Sequence, residues 1–359
     1  MSRESGNFQK LHMLMEFSAL INASLKTTQI RQRAIEAATR LLDADAGSLL
    51  LVDIESRELF FEVVSGSHSE RLNEIRLGIG QGIAGWVAEH NQSVIIDDAQ
   101  QDPRFFRHAD LVTSYETRSV VAVPVCVDDQ VIGVLEAINK RNGVFSEDDR
   151  DLLTSLAHQV APAIENARLF ELLRDSFYGV SMAFVEALEK RDAYTGGHTQ
   201  RVSRYCLEIG SRLGLDEKTM ESLWLASILH DIGKIGVSDS VLQKNGRLDN
   251  QEFVAMCQHS EYGAEILSHI RSHRAVVPGV RSHHEKYDGS GYPDSLAGDE
   301  IPLIARIIAV ADAFDAMTSD RPYRRALSQK EAMEELIRYK GIQFDSQLVD
   351  VFVAAHTGD

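Results

Sequence analysis

Hydrophobic residues recur along this chain with two periods, and the period changes twice. Over residues 8 to about 44, Phe8, Leu11, Leu14 or Met15, and then Ile30, Ala34, Ala37, Ala38, Leu41 and Leu42 stand three and four apart, which predicts an amphipathic helix or a pair of helices. From Ala46 the pattern turns to short apolar strands: Ser48 to Asp53, Glu58 to Val64, Ser93 to Asp97, Ser119 to Val127 and Val131 to Ile138. Asp128-Asp129 between the last two predicts a tight hairpin. The glycines of Gly78-Ile-Gly-Gln-Gly-Ile-Ala-Gly-Trp86 lead into a short helix. No strand-helix-strand unit with a later acidic residue surrounds them, so a dinucleotide loop is disfavoured.

A third stretch opens at Ser146, which reads as a helix N-cap followed by Glu147 and Asp148, two carboxylates suited to the helix dipole. Leu153, Leu156, Val160, Ala163 or Ile164, Ala167, Phe170, Leu173 and Phe177 form one stripe along the helix it starts. That stripe serves either packing within its own domain or a parallel dimer seam. Pro162 is expected to bend or divide the helix. Beyond Asp175 the helical period recurs through Val180 to Leu188, Val202 to Leu213, Met220 to Leu229, Phe253 to Ile270, Ile304 to Met317 and Ala332 to Tyr339. Loops between them are marked by Gly196-Gly197, Asn245-Gly246, Asp288-Gly-Ser-Gly-Tyr-Pro293 and Gly298-Asp299. The C-terminal half is therefore expected to be all-α.

A chain of 359 residues exceeds one typical core and predicts two domains. A formal net charge of −17 opposes binding to nucleic acid polymers and to anionic lipid. The best apolar run, Val120 to Val127, contains Pro124 and falls well short of the roughly 18 residues of a membrane span. The first residues lack an apolar signal region, so a cytoplasmic protein is expected. Cys126, Cys206 and Cys257 are too few and too scattered for a disulfide framework or a thiolate zinc site, and are expected to be buried thiols.

The candidate chemistry sits in Leu229-His-Asp-Ile-Gly-Lys-Ile-Gly236, where His230 and Asp231 end an apolar helix. Alone, the pair reads as a hydrogen-bonded core histidine beside a capping aspartate. His198, His259, His283, His284 and Asp312 change that reading, because ionisable groups on apolar elements are costly unless paired or metal-bound. The seven residues form an oxygen and nitrogen set without sulfur, suited to manganese, iron or zinc. They are too many for one ion and fit two that share a carboxylate. Two ions about 3.5–4 Å apart can clamp a phosphodiester, so phosphoester hydrolysis is the expected chemistry.

Residues 14 to 172 resemble the GAF family of small-molecule sensor domains. The resemblance rests on Gly80-Gln-Gly-Ile-Ala-Gly-Trp-Val87, Asp97-Asp98-Ala99, Val123-Pro-Val125, Ile132-Gly-Val-Leu135 and the helix Ala157 to Phe170. It implies an α+β domain, an antiparallel sheet with flanking helices, and a small-molecule effector that the residues do not identify. Asn139, Lys140, Phe145 and Asp149 match the family's Asn-Lys-Phe-Asp-Glu motif, with Arg150 in place of the last Glu. These residues are read as tying a loop to the sheet.

Residues 175 to 359 resemble the HD-GYP family of cyclic di-GMP phosphodiesterases. The matching elements are Thr195-Gly-Gly-His-Thr199 with Arg201-Val202, the His230-Asp231 stretch, Met256 to His259, His283-His-Glu-Lys-Tyr-Asp-Gly-Ser-Gly-Tyr-Pro293, Ile301-Pro302, Arg306 to Asp312 and Ser319-Asp-Arg-Pro-Tyr-Arg324. The resemblance implies hydrolysis of cyclic di-GMP to linear pGpG, and leaves open whether hydrolysis stops there or continues to GMP. It would assign His198, His230, Asp231 and Asp312 to one metal, with Asp231 bridging to a second held by His259, His283 and His284. Lys234 would face the phosphate or protonate the leaving oxygen. Gly291, Tyr292 and Pro293 would shape the dinucleotide pocket, and Arg321, Tyr323 and Arg324 would add charge and stacking. Members with a third metal carry a Glu where Tyr194 stands, so two divalent ions per chain, iron or manganese, are expected.

The whole then reads as a helix and sensor domain over residues 1–150, a connecting helix over 151–178 and a phosphodiesterase domain over 179–359. A homodimer and signalling protein partners, of the GGDEF type or another, are further expectations. The alternatives are a cyclic GMP-AMP phosphodiesterase and a catalytically silent cyclic di-GMP receptor. His12, His68, His90, His108, His158, His269, His273 and His356 are read as surface or structural.

Overall fold

The computed structural model describes residues 12–17, 19–21, 27–53, 55–64, 75–191, 197–244, 246–270, 274–320 and 325–357. The chain divides into two compact units, Met1–Asp175 and Ser176–Asp359.

The N-terminal unit is built on a six-stranded sheet in the order β3-β2-β1-β6-β5-β4. Its strands are β1 (Ala44–Val52), β2 (Glu58–Val64), β3 (Arg76–Gly78), β4 (Val94–Ile96), β5 (Val120–Val127) and β6 (Gln130–Lys140), and every neighbouring pair is antiparallel. Successive side chains of a strand point to opposite faces, and here both faces are covered. On one face, Leu49, Val123 and Leu135 pack against Ile30, Ala34 and Leu41 of α1 (Thr27–Leu42). On the other, Leu50, Ala122 and Val134 pack against Ile83, Ala84 and Val87 of α2 (Gly82–His90). A further short helix, α3 (His108–Thr113), lies between β4 and β5 in the chain. The β5–β6 hairpin turns at Asp128 and Asp129, with φ of 46° and 63°, the positive values that a two-residue turn of matching twist demands.

Asn139 and Lys140 act as structural ties. The Asn139 amide accepts from the N–H of Arg118 and Ser119 and donates to the Glu116 carbonyl and the Tyr115 hydroxyl. Lys140 Nζ meets Asp149 at 2.6 Å and lies over the Phe145 ring. Arg150 bonds Asp151 at the surface.

Helix α4 (Glu147–Arg191) runs for 45 residues. Ser146 and Asp149 cap it reciprocally, each side chain accepting the other's backbone N–H. It is not divided at Pro162, because Ala161, Ala163 and Ile164 beside the proline are buried in the N-terminal core and that packing outweighs a break of about 3 kcal/mol. The same core takes Leu153, Leu156, Val160 and Ala167, so this part of the stripe packs its own unit. Phe170 and Leu173 remain exposed.

The C-terminal unit is helical: α5 (His198–Arg212), α6 (Glu217–Leu229), α7 (Asp239–Leu242), α8 (Asn250–Cys257), α9 (His259–Ser268), α10 (Val277–Ser282), α11 (Leu303–Thr318), α12 (Gln329–Arg338) and α13 (Ser346–Thr357). Its core joins Val202, Cys206 and Ile209 of α5, Leu223 and Ala226 of α6, Ile307, Val310 and Phe314 of α11 and Phe352 of α13. The stretch Phe253 to Ile270, one helix by its period, is two helices that meet at Gln258. Cys206 is buried, but Cys126 and Cys257 are only half-buried, which corrects the expectation of three buried thiols. No described helix is long and apolar enough to cross a membrane.

Candidate active site

Three histidines reach the interior by the same local device. His230 follows the last turn of α6, His259 the last turn of α8 and His283 the last turn of α10. Helix ends leave carbonyls without intrahelical partners, and each imidazole takes one up. The Nδ1 atoms lie 2.7 Å from the Ser227 oxygen, 2.6 Å from the Met256 oxygen and 2.6 Å from the Val280 oxygen, in each case three residues back. Such a bond places the proton on Nδ1 and turns the Nε2 lone pair inward. The break at Gln258 thus creates the helix end whose carbonyl orients His259.

His198, the first residue of α5, is oriented by a carboxylate. Its Nδ1 lies 2.7 Å from Asp315 Oδ2. Asp315 is 1% exposed and also accepts from Arg201, at 2.5 Å from Nε and 3.0 Å from Nη2. Burial alone would raise the Asp315 pKa, but the bonds from His198 and Arg201 overcome it and hold the carboxyl below its usual range.

The inward atoms converge in two groups, His198, His230 and Asp231 in one and His259, His283 and His284 in the other, each with its ligand atoms within 4.8 Å of one another. Asp231 stands between them, its Oδ2 3.5 Å from His230 Nε2 and its Oδ1 3.5 Å from His259 Nε2. Asp312, in the middle of α11, sits 3.4 Å from His198 Nε2. Lys234 Nζ lies 2.8 Å from Asp231 Oδ2. Burial opposes ionisation of Asp231, yet Lys234 and the surrounding histidines hold its pKa well below the carboxylate norm.

This donor set fits cations. His230 Nε2 is buried without a hydrogen-bond partner. The Nε2 atoms of His259 and His283 are 3.3 Å apart, while both Nδ1 protons are committed to carbonyls. Burial lowers the pKa of both rings and brings that of His284 to about 3, so neutral imidazoles present facing lone pairs that a cation would relieve.

Two glycines allow the elements to close. A Cβ on Gly233 would fall 1.9 Å from the His259 carbonyl oxygen, so only glycine lets the turn Ile232–Gly236 lie against the start of α9. A Cβ on Gly291 would meet the Lys286 nitrogen at 2.3 Å. Gly291, Tyr292 and Pro293 thereby fold back over Glu285, whose buried carboxylate accepts the Asp294 N–H, and the Tyr292 ring comes to 4.9 Å from His284. Burial pushes the Tyr292 phenol pKa upward. A cavity of about 680 Å³ opens here, lined by His198, Asp231, Lys234, Asp312 and Tyr292 among others.

Residues 183–348 match the family described as HD domain, and residues 27–164 match the GAF domain family. The chain carries a GAF domain followed by an HD domain. The HD domain implies dependence on a divalent metal, for which the clustered His and Asp residues are candidate ligands. It is 40% identical over 213 residues to the 3'3'-cGAMP-specific phosphodiesterase 2 of Vibrio cholerae, covering 58% of this chain and 40% of that protein. It is 42% identical to the cyclic di-GMP phosphodiesterase response regulator RpfG of Xanthomonas campestris, covering 46% of this chain and 45% of that protein. A cyclic di-GMP phosphodiesterase of Thermotoga maritima is 37% identical, with 59% of each chain covered. The chain thus spans about half the length of the curated relatives it matches.

The structure brings His198, Asp231, Lys234, His259, His283, His284, Asp312 and Tyr292 to one cavity, with His230 buried against His198 and His283. Tyr194, Arg321, Tyr323 and Arg324 lie outside the described residues. The sequence reading missed Asp315 and the part Arg201 plays. Their signal was a second aspartate one turn beyond Asp312 in an apolar helix, and an arginine one turn beyond His198.

Proposed function

We propose that the HD domain hydrolyses cyclic di-GMP, with pGpG or GMP as the end product, and that the GAF domain governs it through α4. The observation that carries this reading is the buried pair of His/Asp groups around Asp231, with neutral imidazole lone pairs facing one another and Lys234 beside them. His198, His230, Asp231 and Asp312 would hold one divalent ion, and Asp231 would also reach a second held by His259, His283 and His284. Manganese and iron suit such a nitrogen and oxygen set. When bound, two such ions supply Lewis acidity and charge neutralisation at a phosphodiester.

The side chains supply the rest. Asp315 and the three helix-end carbonyls keep His198, His230, His259 and His283 in the tautomer whose Nε2 accepts. Lys234 neutralises Asp231 in the resting site and stands where its ammonium can protonate the leaving oxygen. Tyr292, tilted against His284, forms a wall on which a guanine can rest. Gly291 and Pro293 hold that wall in place, and Arg321, Tyr323 and Arg324 would add charge and stacking for the dinucleotide. The sensor region is proposed to occupy 1–150, the connecting helix 151–178 and the phosphodiesterase 179–359, with an effector at the GAF domain, a homodimeric state and GGDEF-type partners.

A second reading, hydrolysis of 3'3'-cGAMP, is favoured by the likeness to the Vibrio cholerae enzyme of that name. The deciding experiment is turnover of both cyclic dinucleotides by anaerobically purified protein, with manganese and ferrous iron tested separately and bound metal counted on the same sample. Faster hydrolysis of cyclic di-GMP with about two ions per chain supports the first reading. Preference for 3'3'-cGAMP transfers it to the second, and tight binding without cleavage of either makes the protein a receptor.

A further inference from the structure

We propose that Glu189 and Arg191, in the last turn of α4, are positioning residues that set His198 against Asp231 and Lys234; the proposal rests on the phosphodiesterase reading above. The Glu189 carboxylate accepts from the N–H of Gly197 at 3.2 Å and of Thr199 at 3.0 Å, on either side of His198. Gly197 offers α5 no side-chain cap. A carboxylate from another helix fills that role, and its charge suits the positive end of the helix dipole.

Two residues further on, the Arg191 guanidinium grips the other motif. Nη1 donates to the carbonyls of Ile235 at 3.2 Å and Lys234 at 3.4 Å, and Nη2 to that of Val237 at 3.0 Å. Nε donates to Asp239 Oδ1 at 2.8 Å. These carbonyls belong to or directly follow the turn that opens with Asp231 and contains Lys234. Val185, 4% exposed on the same helix, packs behind the two grips beside Thr199, Ile228 and Ile232. The Arg191–Asp239 ion pair is largely exposed and contributes little by itself. What matters is the planar fork, which reaches several carbonyls in one fixed geometry. One turn of helix thus spaces the two ligand-bearing segments, and any rotation or axial shift of that turn displaces both together.

The test uses the full chain with Glu189→Ala, Glu189→Gln, Arg191→Ala and Arg191→Lys. Manganese affinity is measured by titration, amide exchange at residues 197–199 and 232–237 by mass spectrometry, and kcat and KM on the cyclic dinucleotide. The alanine variants are expected to bind manganese roughly 10–100-fold more weakly and lose kcat by a similar factor with KM unchanged. Their two segments should exchange faster. Glu189→Gln should recover part of the loss, since its oxygen still accepts an N–H, whereas Arg191→Lys should recover less because it lacks the fork.

Folded alanine variants with wild-type manganese affinity and unchanged exchange would overturn the proposal. If the alanine variants do not fold, the Gln and Lys variants decide it, with weakened manganese binding supporting it and wild-type binding in both rejecting it. Manganese titration and exchange need no substrate. A wild-type protein that cleaves no cyclic dinucleotide therefore removes the phosphodiesterase reading while leaving the positioning question answered by those two measurements.

Discussion

The bond from His198 to Asp315 gives the most quantitative expectation. Replacing Asp315 by Asn keeps the shape but leaves one oxygen where two stood. With that oxygen toward His198 Nδ1 and Arg201 Nη2, the new NH2 group faces Arg201 Nε, and one charge-assisted bond becomes a meeting of two donors. A bond of this kind contributes about 1.5–3 kcal/mol. Arg201 is 37% exposed, so water takes up part of the loss and a destabilisation of about 1–2 kcal/mol is expected.

Asp315→Ala removes both the acceptor of His198 and the partner of Arg201. Loss of such an outer partner weakens metal binding roughly 10–100-fold, about 1.4–2.7 kcal/mol. The Asn variant, which still orients the ring, should lose less than about tenfold. Manganese titration and urea unfolding on the three proteins separate the two effects. The native Asp315 pKa is depressed, so its stabilisation is present above pH about 3.8 and is lost as pH falls through the folded value. Both variants should lack that acid limb. Asp315→Ala that is destabilised yet binds manganese like the wild type would refute the argument that this carboxylate orients a ligand.

Three further outcomes follow from single contacts. Asp231→Ala should abolish turnover and lower the metal content counted on purified protein, and equal metal and activity would remove Asp231 from the site. Gly233→Ala must move the His259 carbonyl, which a Cβ would approach to 1.9 Å, so a loss of about 1–3 kcal/mol in thermal unfolding is expected together with weaker metal binding. Glu136, buried in β6 with Ser48 donating to it, has its pKa pushed up to about 7 by burial, against the opposing Ser48 bond. Its protonated form is stabilised in the fold, so stability is full below pH about 4.5 and falls by about 3 kcal/mol as pH rises toward 7. Glu136→Gln should flatten that slope and stabilise the protein at pH 8, as measured by unfolding at pH 5 and pH 8; an unchanged slope would show that another group carries it.

Much was determined by the sequence alone, wherever the cause was local. The apolar runs of β5 and β6, the Asp128-Asp129 turn and the Ser146 cap depend on residues within a few positions of one another, and the structure has them where those runs and turn chemistry place them. The seven metal-ligand candidates were legible for a related reason. Imidazoles and carboxylates on apolar elements stand out because burying them without a partner is costly.

Tertiary structure alone decided what depended on packing between distant segments. Pro162 stays inside a continuous helix because the N-terminal core holds both its flanks. Phe253 to Ile270 splits because His259 takes up the Met256 carbonyl and the turn at Gly233 presses against it. His198 finds Asp315 across 117 positions, and Arg191 finds the carbonyl of Val237 across 46. Backbone carbonyls and N–H groups are the same at every residue, so no pattern along the chain marks which of them a remote side chain will reach. Only the packed arrangement of helices selects them.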